Sequence, residues 1–571
     1  MIIRRDRLPR IATALAGTTL VWGLIGVMFA AHNALTYVAD GRRVPAMTIV
    51  WWSVAEWAPW VVLTPLLFRI VAATTHTEAL TQHPARSPRV ARRSPRHRCG
   101  LHESIAIFGG ESPYGVVMSS RMLHFAVASL LLACVDARSQ GSEPSLRRRA
   151  LWRASIAPPT GDSGARVRRV EDGSPAARAG LRAGDAILTF NGRAVATADE
   201  FWPAFDAFRG GDTVRARLRR SRLDLSPETL DVRFVLDTVP REAIPGTVVT
   251  YDAVRSSRGY RVRTMVTRPA GSGQARLPAI VVIPWLSCDP VEKPNPGSDG
   301  MARMLRDVSA QSGMMVMRVE KPGVGDSEGP ACRVSQLEDE LAAYRSAIAS
   351  LRRRADLDTT RLMLLGLSIG GGLAPILAAE DPSGIAGVIS VGGFTRTWYE
   401  HMLDIERRRL TLSGAAPAAV NSAMRGYARF YTDYLIGRRT PGEVLAAHRE
   451  LATLWYDEPG HQYGRPASYF QAVQSLDVEA AWLALADRGV PALIVWGEYD
   501  WIMGRAEAER AVEIVNGRRA GLATLAILPK TDHGLMTFAS QAAAFADNGP
   551  RYDGGASRVV TTWLNRIVAR K

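Results

Sequence analysis

Lysine is almost missing from this 571-residue chain. Of 71 basic residues only Lys293, Lys321, Lys530 and Lys571 are lysine; the rest are arginine. The formal net charge of +16 invites a nucleic-acid reading, because a basic surface releases counterions from phosphates. The arginines are spread through every region, however, and crowd beside apolar runs, and no recognised nucleic-acid-binding motif occurs. Compositional bias and anchoring beside a membrane account for the charge, and no nucleic-acid partner is expected. Cysteine is scarce too: Cys99, Cys134, Cys288 and Cys332, none of them in a CxxC pair, which removes the ground for a zinc site. Long apolar runs are absent from most of the chain and gather near the N-terminus.

Residues 11–31 carry no charge, are long enough to span hydrocarbon as a helix, and follow Arg4, Arg5, Arg7 and Arg10. A cleaved signal peptide would have a shorter apolar core, and a second run, 44–68, follows almost at once. Next come Arg86, Arg89, Arg92, Arg93, Arg96 and Arg98, so the positive-inside rule puts this loop and the N-terminus on the cytoplasmic side. A third run, 122–135, is short for a span. If it crosses, everything downstream is periplasmic; if it lies on the surface, everything downstream is cytoplasmic. Residues 1–140 are thus expected to be a membrane region with two to three transmembrane helices in a bacterial inner membrane, and the soluble domains are placed in the periplasm. Cys288 and Cys332 bear on that choice, each lying in a loop just after an expected strand. A bridge between them would need an oxidising compartment, whereas two free loop thiols would not.

Residues 150–240 form a small β-rich module. Ser174-Pro175 starts a short helix, Gly180 ends it, Gly184-Asp185 makes a turn, and 187–190 is a strand closed by the Asn191-Gly192 hairpin turn. This run resembles a PDZ domain of the bacterial, protease-associated type. The resemblance implies that an extended peptide adds a strand to a sheet edge, its terminal carboxylate held by backbone N–H groups, so a peptide C-terminus is one expected partner. Around Trp152-Arg153-Ala154-Ser155-Ile156, where the carboxylate loop should lie, the glycine-rich pattern is missing. A spacer domain packed on the enzyme is the other reading.

From residue 245 to 571 apolar strands alternate with helical stretches, the sign of an α/β fold with a mainly parallel sheet. The expected strands are 262–267, 279–283, 314–319, 362–365, 388–391, 492–496 and 524–528. Gly-x-Ser-x-Gly occurs twice. Gly325-Asp326-Ser327-Glu328-Gly329 lies in a glycine- and proline-rich stretch with no apolar lead-in and no helix after it, so it reads as a loop. Gly366-Leu367-Ser368-Ile369-Gly370 follows an apolar strand and precedes a helix, which is the context of a nucleophile elbow.

A serine hydroxyl needs a base to take its proton. Of His401, His448, His461 and His533, only His533 follows a strand and sits in a turn. The acid should follow the preceding strand, where Asp500 comes after a turn at Gly497; Glu498 and Asp532 are the fallbacks. The order Ser368, Asp500, His533 is the one α/β-hydrolases use. Two N–H donors must receive the developing oxyanion. Ile369 is one. The other should come from the loop after 279–283, where Pro284-Trp285 replaces the usual His-Gly, leaving Leu286 as donor by position.

The region resembles the α/β-hydrolase superfamily, in particular bacterial members with the Glu-Lys-Pro-Gly-Val-Gly-Asp-Ser-Glu-Gly motif, here Glu320 to Gly329. The resemblance implies a secreted or envelope esterase that needs neither metal nor cofactor and acts on a small-molecule or lipid-like acyl substrate. Residues 394–487 show no convincing strand and are expected to form a helical lid; Trp398, Tyr399, Phe430, Tyr431, Tyr434 and Phe470 could line an apolar pocket, with core packing the stronger explanation for most of them. Two rivals stand beside the esterase: a serine peptidase fed by the PDZ-like module, and a non-catalytic membrane scaffold. The expected whole is a multidomain chain of transmembrane helices, a PDZ-like domain and an α/β-hydrolase domain with a lid.

Overall fold

The structure, a computed structural model, describes residues 145–157, 164–222, 225–273 and 275–569. The expected membrane region lies outside the described residues. Among the described residues no helix is long and apolar enough to cross a membrane.

The first module is an antiparallel sheet of β1 (Ala154–Ile156), β2 (Ala165–Val170), β3 (Ala186–Phe190), β4 (Thr213–Arg222) and β5 (Leu225–Val235), in that spatial order. Between β2 and β3 lies a one-turn helix, α1 (Pro175–Arg178). The Ser174 hydroxyl accepts from the Ala177 amide at 3.0 Å and Pro175 sits where its missing N–H costs nothing. After β3 the chain turns at Asn191-Gly192 into a short returning arm, Arg193–Ala194, and then enters α2 (Ala198–Asp206). Trp152 is the hub of the core, packed against Phe190, Phe201, Phe205 and Phe234. Trp152, at the start of the segment where the carboxylate loop was expected, is therefore the residue around which the module closes.

The second module is an eight-stranded sheet. Its strands are β6 (Thr247–Arg255), β7 (Arg261–Pro269), β8 (Leu277–Ile283), β9 (Met315–Val319), β10 (Leu357–Leu367), β11 (Gly387–Val391), β12 (Ala492–Gly497) and β13 (Ala523–Leu528). The spatial order is β13-β12-β11-β10-β8-β9-β7-β6. From β13 to β9 all neighbours are parallel; β7 runs antiparallel to both β9 and β6. All seven expected strands are present. β6 is an addition, and its alternation of half-buried and exposed residues marks an edge strand that lacks the apolar run of its neighbours. Helices cover both faces, so alternate residues of β8 enter opposite cores, Val281 and Ile283 in one and Ile280 and Val282 in the other. This double burial explains why the central strands read as continuous apolar runs.

Between β11 and β12 the chain leaves the sheet as a helical segment. It comprises α3 (Trp398–Leu412), α4 (Pro417–Tyr431), α5 (Pro441–Ala447), α6 (Ala467–Gln474) and α7 (Val478–Asp487), with only two two-residue strands, His461–Gln462 and Arg465–Pro466. The expected helical stretch over 394–487 matches this segment.

Both modules belong to one compact unit and are joined by buried charge. The Arg148 guanidinium donates to Glu292 at 2.8 Å and to Asp326 at 2.7 Å, and Arg263 donates to Asp326 at 3.2 Å and to the Leu146 carbonyl at 2.8 Å. Asp326, from the first Gly-x-Ser-x-Gly, is thus a junction residue.

Candidate active site

The strand β10 ends at Leu367 and a helix, Ile369–Glu380, begins one residue later. Ser368, alone between them, holds φ +55° and ψ −125°. A side-chain-bearing residue seldom adopts this conformation, which costs on the order of 1–3 kcal/mol. Glycines on either side allow the turn to close: a Cβ on Gly366 would sit 2.1 Å from the Gly370 carbonyl oxygen, and one on Gly370 would sit 2.1 Å from that of Ile283. The Ser368 amide donates to the Val391 carbonyl at 2.9 Å, so the sheet itself fixes the serine.

His533 lies on the loop after β13, and Asp500 on the turn after β12, where the Asp500 amide donates to the Gly497 carbonyl at 2.9 Å. His533 Nε2 is 2.9 Å from Ser368 Oγ, and His533 Nδ1 is 2.8 Å from Asp500 Oδ2. The other Asp500 oxygen accepts the amides of Ile502 at 3.0 Å and Met503 at 2.8 Å, which locks the carboxylate. Burial pulls the His533 pKa down, but the charge of Asp500, its hydrogen bond, and the charge of Asp532 together outweigh burial and raise it above the ordinary histidine value. Of the fallback acids, Glu498 is occupied by the Lys530 amide at 2.8 Å and Asp532 by the Met536 amide at 2.8 Å. His448 pairs with Asp433 and His461 with Glu458, both at 3.2 Å.

Ile369 is the first residue of its helix, so its amide has no intrahelical acceptor. Leu286, on the loop after β8, lines the same cavity as Ile369, Ser368 and His533. That loop is tied down by a disulfide and by buried cations from distant parts of the chain. Cys288 and Cys332 form a disulfide, which decides between the bridge and the two free thiols. The fully buried Arg465 donates to the Leu286 carbonyl at 3.2 and 3.3 Å and to the Cys332 carbonyl at 2.8 Å, and pairs with the buried Glu340. Lys321 Nζ donates to the Ser287 carbonyl at 2.5 Å, and burial pushes its pKa down to about 8.

The first Gly-x-Ser-x-Gly is a loop, as expected. Ser327 is buried and its Oγ accepts the Arg263 amide at 2.9 Å. No histidine is bonded to it among the described residues.

Above Ser368 lies a cavity of about 820 Å³. Among the aromatics weighed for its wall, Trp398 alone lines it; Phe430, Tyr431, Tyr434 and Phe470 are core residues. Trp285, Tyr456, Tyr463 and Trp501 complete the aromatic lining, and nothing in their local sequence marked them. No group of His, Cys, Asp and Glu that could hold a metal occurs among the described residues.

Residues 301–537 match the family described as serine aminopeptidase, S33, and residues 140–233 match the PDZ domain family. No curated protein matches the chain. Similar solved structures include the esterase domain of a Rhodothermus marinus protein, at 15% identity, covering 56% of this chain and 98% of that one with a TM-score of 0.34. An esterase from Pyrococcus furiosus is 9% identical, covering 58% and 96% with a TM-score of 0.35. A hyperthermophilic esterase from the archaeon Pyrobaculum calidifontis is 16% identical, covering 58% and 87% with a TM-score of 0.32. From the two family matches and the architecture described above, the chain carries a PDZ domain followed by a hydrolase domain of the α/β fold.

Proposed function

We propose that the chain is a membrane-anchored serine hydrolase that cleaves carboxylic esters or related acyl bonds in two steps. The observation that carries this reading is the unbroken hydrogen-bond chain from Asp500 through His533 to Ser368, opening on the 820 Å³ cavity. Ser368 Oγ attacks the acyl carbonyl carbon while His533 Nε2 takes its proton. The oxyanion is received by the amides of Ile369 and Leu286. As the tetrahedral intermediate collapses, His533 returns the proton to the leaving group and the acyl group stays on Ser368. Water, deprotonated by the same imidazole, then releases the acid and restores the serine. The aromatic wall of the cavity suits a small-molecule or lipid-like acyl group, with residues 394–487 as its lid. The N-terminal apolar runs would hold the enzyme in the inner membrane, and the Cys288–Cys332 bridge supports a periplasmic address.

Labelling of the detergent-solubilised protein by a fluorophosphonate tests the mechanism. The expected outcome is labelling that disappears in Ser368→Ala and His533→Ala; folded wild-type protein that never labels would overturn it and favour a non-catalytic scaffold.

A second reading, a serine peptidase, is favoured by the description of the matching family and by the PDZ domain beside the hydrolase. The strand β1 is at the sheet edge and Arg153, just before it, holds φ +55°, the left-handed conformation that glycine adopts most readily. Such an edge would suit an added peptide C-terminus. Comparing ester and peptide-amide substrates of equal size on the same preparation separates the two.

A further inference from the structure

We propose that Trp398 and His401 form a polar subsite in the cavity that receives a neutral oxygen of the substrate, a hydroxyl or carbonyl outside the scissile bond. This rests on the serine-hydrolase reading and adds to it a class of substrate.

The helix α3 is started by a capping box, with Thr397 Oγ1 accepting the Glu400 amide and the Glu400 carboxylate accepting the Thr397 amide. Its residues Trp398, His401, Ile405 and Arg409, spaced by three and four, share one face, and all four line the cavity over Ser368. Trp398 is 2% exposed and His401 is 1%, and their rings lie 4.6 Å apart. Trp398 Nε1 and His401 Nδ1 are both buried without a hydrogen-bond partner. A buried polar atom left unpaired costs about 1–3 kcal/mol, and native interiors seldom keep two side by side without use.

Two carboxylates of this lining are already engaged. Glu406 accepts from Arg409 at 2.8 Å and from the Tyr431 and Tyr456 hydroxyls at 3.3 Å; Asp532 accepts the Met536 amide. Among the residues that line the cavity, Trp398 and His401 are the two with a buried polar atom left unpaired, and their rings share one spot on its wall. That spot is close enough to the reacting centre for His533 to influence His401 electrostatically.

The chemistry of the pair defines the ligand. An indole N–H only donates. Burial, with the charges of Arg408, His533 and Arg396, pushes the His401 pKa down to about 3, so the imidazole is neutral at any working pH and offers one donor and one acceptor. A hydroxyl or carbonyl oxygen fits both rings. A carboxylate would have to shed its hydration with no unpaired cation to compensate.

The test uses the solubilised full-length protein with two substrate pairs: p-nitrophenyl butanoate against its 3-hydroxy analogue, and propyl butanoate against 2-hydroxyethyl butanoate. Wild type should prefer the oxygen-bearing member of at least one pair by about fivefold or more in kcat/KM. His401→Phe and Trp398→Phe should bring that ratio toward one, while His401→Gln, which keeps a donor and an acceptor, should retain part of it. The pair that responds tells which side of the ester bears the oxygen. No preference in wild type, or a ratio unmoved by all three substitutions, overturns the subsite. Should a phenylalanine variant fail to fold, the wild-type ratio and His401→Gln still decide. Fluorophosphonate labelling, run in parallel, reports separately on the hydrolase reading: wild type that labels but shows no preference sinks the subsite alone.

Discussion

Two segments of this chain carry the same five-residue pattern, Gly325 to Gly329 and Gly366 to Gly370, and the fold puts them to opposite uses. Ser368 is held in a positive-φ turn between a central strand and a helix, with an imidazole 2.9 Å from its hydroxyl. Ser327 is turned inward, its hydroxyl accepting an amide of the neighbouring β7, while the adjacent Asp326 joins the two modules through Arg148 and Arg263. Glycines flank both serines because both turns are tight. Only one serine stands at the end of a parallel strand near the middle of the sheet, where loops after three other strands can converge on it.

The sharpest way to break this comparison is to exchange the two serines for alanine in turn. Ser368→Ala should fold normally and lose about 10⁵–10⁶-fold in kcat, since on the proposed mechanism it removes the nucleophile of a concerted set. Asp500→Asn should cost about 10⁴-fold by disturbing the imidazole tautomer and removing the charge that stabilises the protonated ring. The same variant should move the pH profile. In the proposed mechanism the base works deprotonated, so wild-type kcat/KM should rise with pH through a His533 pKa above the ordinary 6.5. Without the Asp500 charge the downward pull of burial dominates, and the acid limb should shift to lower pH.

The disulfide sharpens the comparison from the structural side. Its cysteines are 44 residues apart, and a loop of that size implies a loss of about 4 kcal/mol when both become serine, read as a lowered denaturation midpoint. Because the bridge ties down the Leu286 loop, kcat should fall as well. Ser327→Ala is the smallest effect: about 1–3 kcal/mol of stability from leaving the Arg263 amide unpaired, with fluorophosphonate labelling retained. Loss of labelling in a folded Ser327→Ala protein would reverse the assignment of the two motifs.

Much of this was legible in advance. The central strands were visible because burial on both faces demands unbroken apolar runs, and β6 was missed because an edge strand with one wet face does not. The Ser174-Pro175 cap and the hairpin turn at Asn191-Gly192 stood out because turn chemistry is local. The segment 394–487 was legible as helices, and most of the aromatics weighed for its pocket are core residues, in line with the preference for core packing. Helical periodicity tells which residues face inward without telling whether inward means another helix or a cavity. Arg465, Lys321 and Glu340 were not legible at all, since a buried ion pair between residues 125 positions apart leaves no local pattern.

The sequence alone determined the order of strands and helices, the turn that a serine between two glycines can make, and the succession Ser368, Asp500, His533, because each depends on neighbours a few residues away. Tertiary structure decided which serine meets an imidazole, which carboxylate is locked against that imidazole, that Cys288 reaches Cys332, and that Trp398 and His401 are left unpaired on a cavity wall. Those outcomes depend on where parallel strands bring their loops together, and such convergence is a property of the sheet as a whole.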